Sequence, residues 1–363
     1  MNTRLQRLRG KLRQLDLDSF IVSSLHNVRW LTGYTGSNGL AVVAPRSAYF
    51  LTDFRYTVQA RKQTANSGFK LVISKRDLVS SLDEIRASVY GERVGFESDT
   101  VTCEQLKAIR KTLKGKKLVG RPGIIQELRL VKDRRELSRL RKAVKITDEV
   151  FEEVLPLVKP GITEVDLMSE IEYLFHKKGA YASFETIVAS GYRGAMPHGM
   201  ASKKVIKKGE MITFDFGGVY DGYTSDMTRT VVLGKAAPKQ KKIYEIVLRA
   251  QVAAIDSIKS GIAAKDVDAV ARDIITEEGY GPNFGHSLGH GIGICVQGDR
   301  IHIHEEPILS PRSNRVLEEG NVVTVEPGIY IPGWGGVRIE DDVIVTGNGC
   351  SIMNKSPKHL IEL

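Results

Sequence analysis

Long apolar runs are missing from this chain. No stretch approaches the roughly 18 consecutive apolar residues of a membrane-spanning helix, so no membrane span is expected. Cysteine is scarce: Cys103, Cys295 and Cys350 are scattered and show no Cys-x-x-Cys spacing. That argues against both a disulfide framework and a thiolate zinc site. Aromatic residues are few, and none interrupts the densest basic stretch, from Lys107 to Lys145. A face built to stack nucleic-acid bases would need them there. The opening segment Met-Asn-Thr-Arg-Leu-Gln-Arg starts an amphipathic helix rather than an export signal, and a cytoplasmic location is expected.

What is present describes a globular protein. With 363 residues, 42% of them hydrophobic and 26% charged, the chain can build two cores. The net charge of +10 is uneven. Residues 1–150 hold 30 Lys and Arg against 15 Asp and Glu, and the remainder hold 23 against 28. One alternative is therefore a non-catalytic binding or scaffold protein whose basic first half contacts nucleic acid. The missing aromatics favour solvated helix faces instead.

Leu5, Leu8, Leu12 and Leu15 fall at helical spacing, and Phe20-Ile-Val reads as a strand. Further strands are expected over 40–43, 48–51, 71–73 and 94–96, with helices from about Tyr56, over Leu78 to Val89 and over Glu104 to Leu113. This is an α/β domain, with its boundary near Leu130. A long charged helix then runs to about Leu157. Beyond it, Lys159-Pro-Gly-Ile-Thr-Glu-Val-Asp-Leu recurs 100 residues later as Lys259-Ser-Gly-Ile-Ala-Ala-Lys-Asp-Val. Each copy is followed by a hairpin pattern, Met211 to Leu233 and Asn321 to Val345. Two copies are too few for a solenoid, so two similar halves should share one domain, with an active site between them.

The hairpins carry the chemistry. Asp221-Gly222 between two tyrosines marks a two-residue turn. It sets Tyr220 opposite Tyr223 and Gly217 opposite Asp226, and it puts Asp215 on the face of Asp226. The second hairpin carries Glu326 and Glu340 among β-branched residues. Four carboxylates on apolar strands would repel one another unless cations compensate them. His290, in Gly285-His-Ser-Leu-Gly-His-Gly-Ile-Gly, is the fifth candidate ligand. Such an oxygen-rich set suits two divalent metal ions, Mn²⁺ first, with Co²⁺ or Zn²⁺ as alternatives. Cys295 is read as an apolar filler.

Phe-Asp-Phe-Gly, Thr-Ser-Asp-Met-Thr-Arg-Thr, Gly-His-Gly-Ile-Gly, Val-Glu-Pro-Gly-Ile-Tyr and Val-Arg-Ile-Glu-Asp together resemble the pita-bread metallopeptidases, in particular aminopeptidase P and prolidase. The first half, with Leu31-Thr-Gly-Tyr-Thr-Gly-Ser and Thr52-Asp-Phe-Arg-Tyr, looks like that family's creatinase-type domain. Methionine aminopeptidase normally lacks such a domain, and creatinase lacks the metal ligands. The resemblance implies an α/β N-terminal creatinase-like domain, residues 1–130. It also implies an α+β pita-bread catalytic domain, residues 131–363, with an internal pseudo-two-fold repeat.

It further implies hydrolysis of the N-terminal Xaa-Pro bond, by an Xaa-Pro aminopeptidase or an Xaa-Pro dipeptidase. Asp226 and Glu340 would bridge the two ions, Asp215 would complete one, and His290 and Glu326 the other. Glu326 would also shuttle a proton, and His198 and His304 would contact substrate. His286, Tyr330 and Arg338 occupy substrate-site positions, and His286 could equally orient the site. Relatives lack about seven residues present here, Gln297 to Ile303, so His302 competes with His304. A homodimer is expected, in which Arg55, paired locally with Asp53 or reaching a partner subunit's site, could read the substrate's carboxylate.

Overall fold

The computed structural model describes residues 3–85, 91–296 and 304–363. The chain forms two compact units, residues 1–129 and 130–363.

In the first unit the strands are β1 (Ser19–Val22), β2 (Leu40–Val43), β3 (Ala48–Asp53), β4 (Lys70–Ser74), β5 (Arg93–Phe96) and β6 (Lys117–Gly120). The helices are α1 (Thr3–Gln14), α2 (Leu25–Thr32), α3 (Thr57–Thr64), α4 (Cys103–Thr112) and α5 (Ile124–Arg129). The strands form one sheet in the order β4-β3-β2-β1-β5-β6. The β1–β2 and β2–β3 pairs are antiparallel and the outer pairs are parallel. Every residue of β1 and β2 is buried, which fits strands covered on both faces. Phe20 and Phe50 are wholly buried, and each such side chain contributes about 1.5–3 kcal/mol. Buried Glu97 accepts the backbone N–H groups of Ser23 and Ser24 at 2.6 and 2.7 Å, which ties the segment entering α2 to the end of β5.

The second unit repeats one plan twice. Helix α6 (Arg134–Val154) precedes α7 (Glu164–Lys177), and α8 (Pro238–Ser257) precedes α9 (Ala264–Glu277). Helices α7 and α9 both have 14 residues and start 100 residues apart. Gly161 and Gly261 make the turns between helices with φ of 95° and 90°, a conformation costly for any residue with a Cβ. Each turn is then tied to a distant strand-like segment in the same way: Gly161 N–H donates to Ile206 and Gly261 N–H to Leu317.

The first half adds β7 (Tyr181–Ala182), β8 (Ile187–Ser190), β9 (Met211–Phe216), β10 (Gly218–Tyr220), β11 (Tyr223–Thr224) and β12 (Met227–Val232). The second adds β13 (Gly289–Gly291), β14 (Glu305–Leu309), β15 (Val322–Val325), β16 (Gly328–Ile331), β17 (Gly335–Arg338), β18 (Asp341–Val345) and β19 (Cys350–Ile352). Separate apolar clusters pack α6 and α7 against the first set of strands and α8 and α9 against the second. The first half's strands form two three-stranded sheets and the second's a five-stranded and a two-stranded sheet, and each half packs its strands against two helices.

Candidate active site

The turn at Asp221 and Gly222, with φ of 46° and 77°, produces the expected register. Tyr220 pairs with Tyr223, and Asp215 pairs with Thr228. Phe214 and Phe216 point into the core, where they meet Phe151 at ring separations of 6.1 and 6.4 Å. Alternation along β9 turns Asp215, between them, towards the opposite face. In the second hairpin, Val325–Asp341 and Gly328–Arg338 keep one register on either side of a break. That register sets Glu326 opposite Glu340 at the break. The two hairpins meet there, where Glu340 N–H donates to Thr228 O at 3.1 Å.

The structure brings Asp215, Asp226, His290, Glu326 and Glu340 together. Asp215, Asp226 and Glu340 offer ligand atoms within 4.8 Å of one another, and so do His290, Glu326 and Glu340. His290 Nε2 lies 3.6 Å from both Asp226 Oδ2 and Glu326 Oε1. Its Nδ1 lies 3.0 Å from Gly291 O, so a proton on Nδ1 leaves the Nε2 lone pair facing the carboxylates. Burial lowers its pKa to about 3, helped by the nearby His304, so the ring is neutral. Asp226 and Glu326 are pushed well above the carboxylate range by burial and then by the charge of Glu340. Glu340 is pushed to about 8, by burial and then by Asp215.

Two atoms show what the site fits. Asp226 Oδ1 and Glu340 Oε1 are buried without a hydrogen-bond partner among the described residues. Buried acceptors are rarely left so, and three crowded carboxylates require positive charge. Divalent ions meet both needs, and the set of four carboxylates and one imidazole is a hard-donor set that fits them.

Around this cluster runs a chain of hydrogen bonds. Arg338 donates to Asp215 from Nη2, to Tyr330 Oη from Nη1 at 2.8 Å and to Thr228 Oγ1 from Nε at 3.0 Å. Burial alone would lower its pKa, but Tyr330, Asp215, Glu326 and Glu340 hold it well above the usual value. Tyr330 Oη lies 2.9 Å from His286 Nε2, and His286 Nδ1 lies 2.8 Å from Ser287 O. His286, with its pKa lowered to about 4 chiefly by burial, is a neutral acceptor for the Tyr330 hydroxyl. Thr228 Oγ1 donates to Glu340 Oε2 at 2.6 Å, and Asp226 N–H donates to Asp342 Oδ2 at 2.9 Å.

A cavity of about 610 Å³ opens over the cluster. His198, His286, His304 and Arg338 line it, with Phe184, Ile187, Met200 and Ile308 as apolar wall. His304 stacks on His290 with ring centres 3.7 Å apart. The Gln297 to Ile303 segment, including His302, lies outside the described residues. Cys295 is buried and packs beside Val219. Arg55 belongs to the first unit, where its guanidinium makes a two-bond pair with Asp53 at 2.9 Å. That pair, with Asn38, holds Asp53 well below the carboxylate range. Sequence reading passed over Thr228, Thr324 and Asp342. Each stands two residues from a candidate ligand, and strand alternation could have flagged it.

Residues 138–347 match the model of metallopeptidase family M24, and residues 4–131 match the creatinase/prolidase N-terminal domain. An Xaa-Pro dipeptidase of Bacillus anthracis has a solved structure 42% identical to this chain, covering 99% of each, with a TM-score of 0.94. An X-Pro aminopeptidase from Thermotoga maritima is 35% identical over 97% of this chain and 100% of its own, with a TM-score of 0.88. An Xaa-Pro dipeptidase of Pyrococcus horikoshii is 35% identical over 99% of both sequences. With its five-residue cluster intact, the chain belongs to metallopeptidase family M24 and carries that family's creatinase/prolidase N-terminal domain.

Proposed function

We propose that this protein is a two-metal exopeptidase that hydrolyses the bond between an N-terminal residue and proline, with Xaa-Pro dipeptides as its main substrates. The observation that carries this reading is the cluster of Asp215, Asp226, His290, Glu326 and Glu340, whose two unpartnered carboxylate oxygens are paired with a cavity sized for a small peptide. The dipeptide preference draws on the Bacillus anthracis and Pyrococcus horikoshii proteins, named Xaa-Pro dipeptidases. The scaffold alternative has no support in a site that retains every donor.

Asp226 and Glu340 would bridge two ions, with Asp215 on one and His290 and Glu326 on the other. Mn²⁺ suits these donors first, with Co²⁺ or Zn²⁺ as alternatives. Such ions supply Lewis-acid polarisation of a carbonyl and acidify water. Glu326 takes the proton of the attacking water and delivers it to the proline nitrogen, which becomes the leaving amine. His198 donates to the carbonyl oxygen as charge develops there. His304, which also lines the cavity and stacks on His290, contacts the peptide. Arg338 holds Asp215 and Tyr330 in place, and Tyr330 in turn holds His286 against the substrate.

A cytoplasmic homodimer is part of the proposal, with Arg55 of one copy reading the free carboxylate at the other copy's site. Among the described residues, no helix is long and apolar enough to cross a membrane. The test is hydrolysis of a matched Xaa-Pro dipeptide and Xaa-Pro-Yaa tripeptide after reconstitution with each metal. Faster turnover of the dipeptide supports the reading. Tripeptide preference assigns an aminopeptidase, and activity on neither sinks the proposal.

A further inference from the structure

His198 stands on a loop with little regular structure. Strand β8 ends at Ser190, Gly191–Ala195 forms a short 3₁₀ turn, and β9 begins only at Met211. Around His198 the loop folds on itself: Met196 N–H donates to Arg193 O, Gly199 N–H to Met196 O, and Met200 N–H to His198 O. Those bonds shape the loop without fixing its position over the carboxylate cluster.

Arg338 Nη1 reaches Pro197 O at 3.3 Å beside His198, and one buried carboxylate holds both stems of the loop. Glu164, the first residue of α7, is wholly buried. Its Oε1 accepts from the Ser190 N–H at 2.7 Å and the Ser190 hydroxyl at 2.8 Å. Its Oε2 accepts from the Ser202 N–H at 3.1 Å, the Ser202 hydroxyl at 2.6 Å and Arg193 Nε at 2.9 Å. Ser190 and Ser202 bracket the loop, so both stems hang from one side chain. Arg193 Nη2 also donates to Met200 O, which ties the stretch just beyond His198 to the same anchor.

The other half of the repeat carries a counterpart. Asp268 lies one helical turn further along α9 than the position matching Glu164, and it too is buried. It accepts from Leu288 N–H at 3.0 Å and makes two bonds to Arg272. Arg272 donates to Phe284 O and His286 O, both at 2.9 Å. Each half thus uses a buried helix carboxylate and an arginine to hold the backbone of a loop that presents a histidine to the cavity.

We infer that Glu164 is a positioning residue for His198, holding the stems of its loop while Arg338 holds Pro197 O, with Arg193 as the arm that reaches into the loop. The inference rests on the reading of His198 as a substrate-contacting group. Replacing the carboxylate by an amide keeps its shape but turns one acceptor into a donor. That donor then faces the N–H and O–H groups of one stem. The stem loses its anchor, and a shift of about 1 Å in a reacting group is enough to cost roughly 10²-fold in rate.

The experiment is a double-mutant cycle on the metal-loaded enzyme with an Xaa-Pro dipeptide, using Glu164→Gln, His198→Ala and the combined variant. Glu164→Gln should lower kcat by about 10- to 100-fold with metal content unchanged, the range found for groups that orient a site. In the His198→Ala background it should lower kcat by less than about twofold, because the group it positions is gone. Losses that multiply in full would overturn the inference.

A second readout does not depend on turnover. With ¹³C-labelled histidine, and His198 assigned from His198→Ala, Glu164→Gln should shift or broaden the His198 resonance and leave that of His290 in place. An unmoved His198 resonance overturns the inference even if the rate falls. Should His198→Ala leave the rate unchanged, the reading of His198 fails, and the resonance still decides whether Glu164 fixes the loop. If Glu164→Gln does not fold, Arg193→Lys keeps the charge but loses the fork, and it should move the same resonance by a smaller amount. No movement there counts against the inference equally.

Discussion

In the first half of the second unit, β9 and β12 bring two aspartates to one face; in the second half, β15 to β18 bring two glutamates, and β13 adds a histidine. The helices, turns and ties of the halves match, yet the candidate ligands differ in type and in how they are held. Asp215 lies within the β9–β12 ladder and Asp226 just beyond its end, whereas Glu326 and Glu340 face each other across a gap between two ladders. Support also crosses between the halves. Arg338 from the second holds Asp215 of the first, and Thr228 from the first holds Glu340 of the second. Duplication provides the frame, and the five-residue cluster is assembled at the junction from side chains of both halves.

Removing, from each half, the carboxylate proposed to bridge the ions is the hardest test of that joint assembly. Asp226→Ala and Glu340→Ala should each abolish measurable turnover and bring bound metal well below two ions per chain by elemental analysis. Full occupancy in either variant would show that the halves do not share the ions.

The histidines should separate the halves. His290→Ala is expected to lose metal. His198→Ala should keep it and lose about 10²-fold or more in kcat, as for a donor to developing negative charge. Parallel loss of metal and rate in both variants would make His198 a ligand or support.

The junction also predicts a pH dependence for metal-free protein. Glu340 has a folded pKa near 8 against an ordinary 4.5, so the native state binds its proton more tightly than the unfolded state. Such a group contributes stability below its unfolded pKa, and that contribution is lost as pH rises through the folded value. Asp226 and Glu326 are shifted the same way. Chelated protein should therefore melt several degrees lower at pH 8 than at pH 5.5, and metal-loaded protein should lose most of that difference. Equal slopes with and without metal would remove the electrostatic argument for the ions.

The first unit belongs to neither half and gives the smallest effect. Arg55→Ala should raise KM for an Xaa-Pro dipeptide while leaving an Xaa-Pro-Yaa tripeptide nearly untouched, since only the dipeptide places a carboxylate beside the proline. Equal effects on both would leave Arg55 a partner of Asp53 alone.

Much of this was legible in the chain because it is local or periodic. The Asp221-Gly222 turn fixes the register of the first hairpin, and the 100-residue repeat gives matching helices. Which carboxylate Arg338 grips, and that Thr228 grips Glu340, was not legible, because those partners lie 123 and 112 residues apart and meet only where the hairpins join. Glu164 was hidden for the same reason, as an acid in a helix's first turn normally reads as complementing the helix dipole. The helix expected over Leu78 to Val89 is, in its described part, a 3₁₀ turn from Ser80 to Ile85. There Asp77 accepts the Ser80 N–H and the Ser74 and Ser81 hydroxyls pair, offering the backbone an alternative to α-helix.

The central claim is that five side chains from two unlike halves hold two ions. Calorimetric titration of the metal-free chain with Mn²⁺ tests it most directly. The account predicts two sites per chain in the wild type and loss of at least one in Glu340→Ala. A single site in the wild type, or two undiminished sites in the variant, would contradict it.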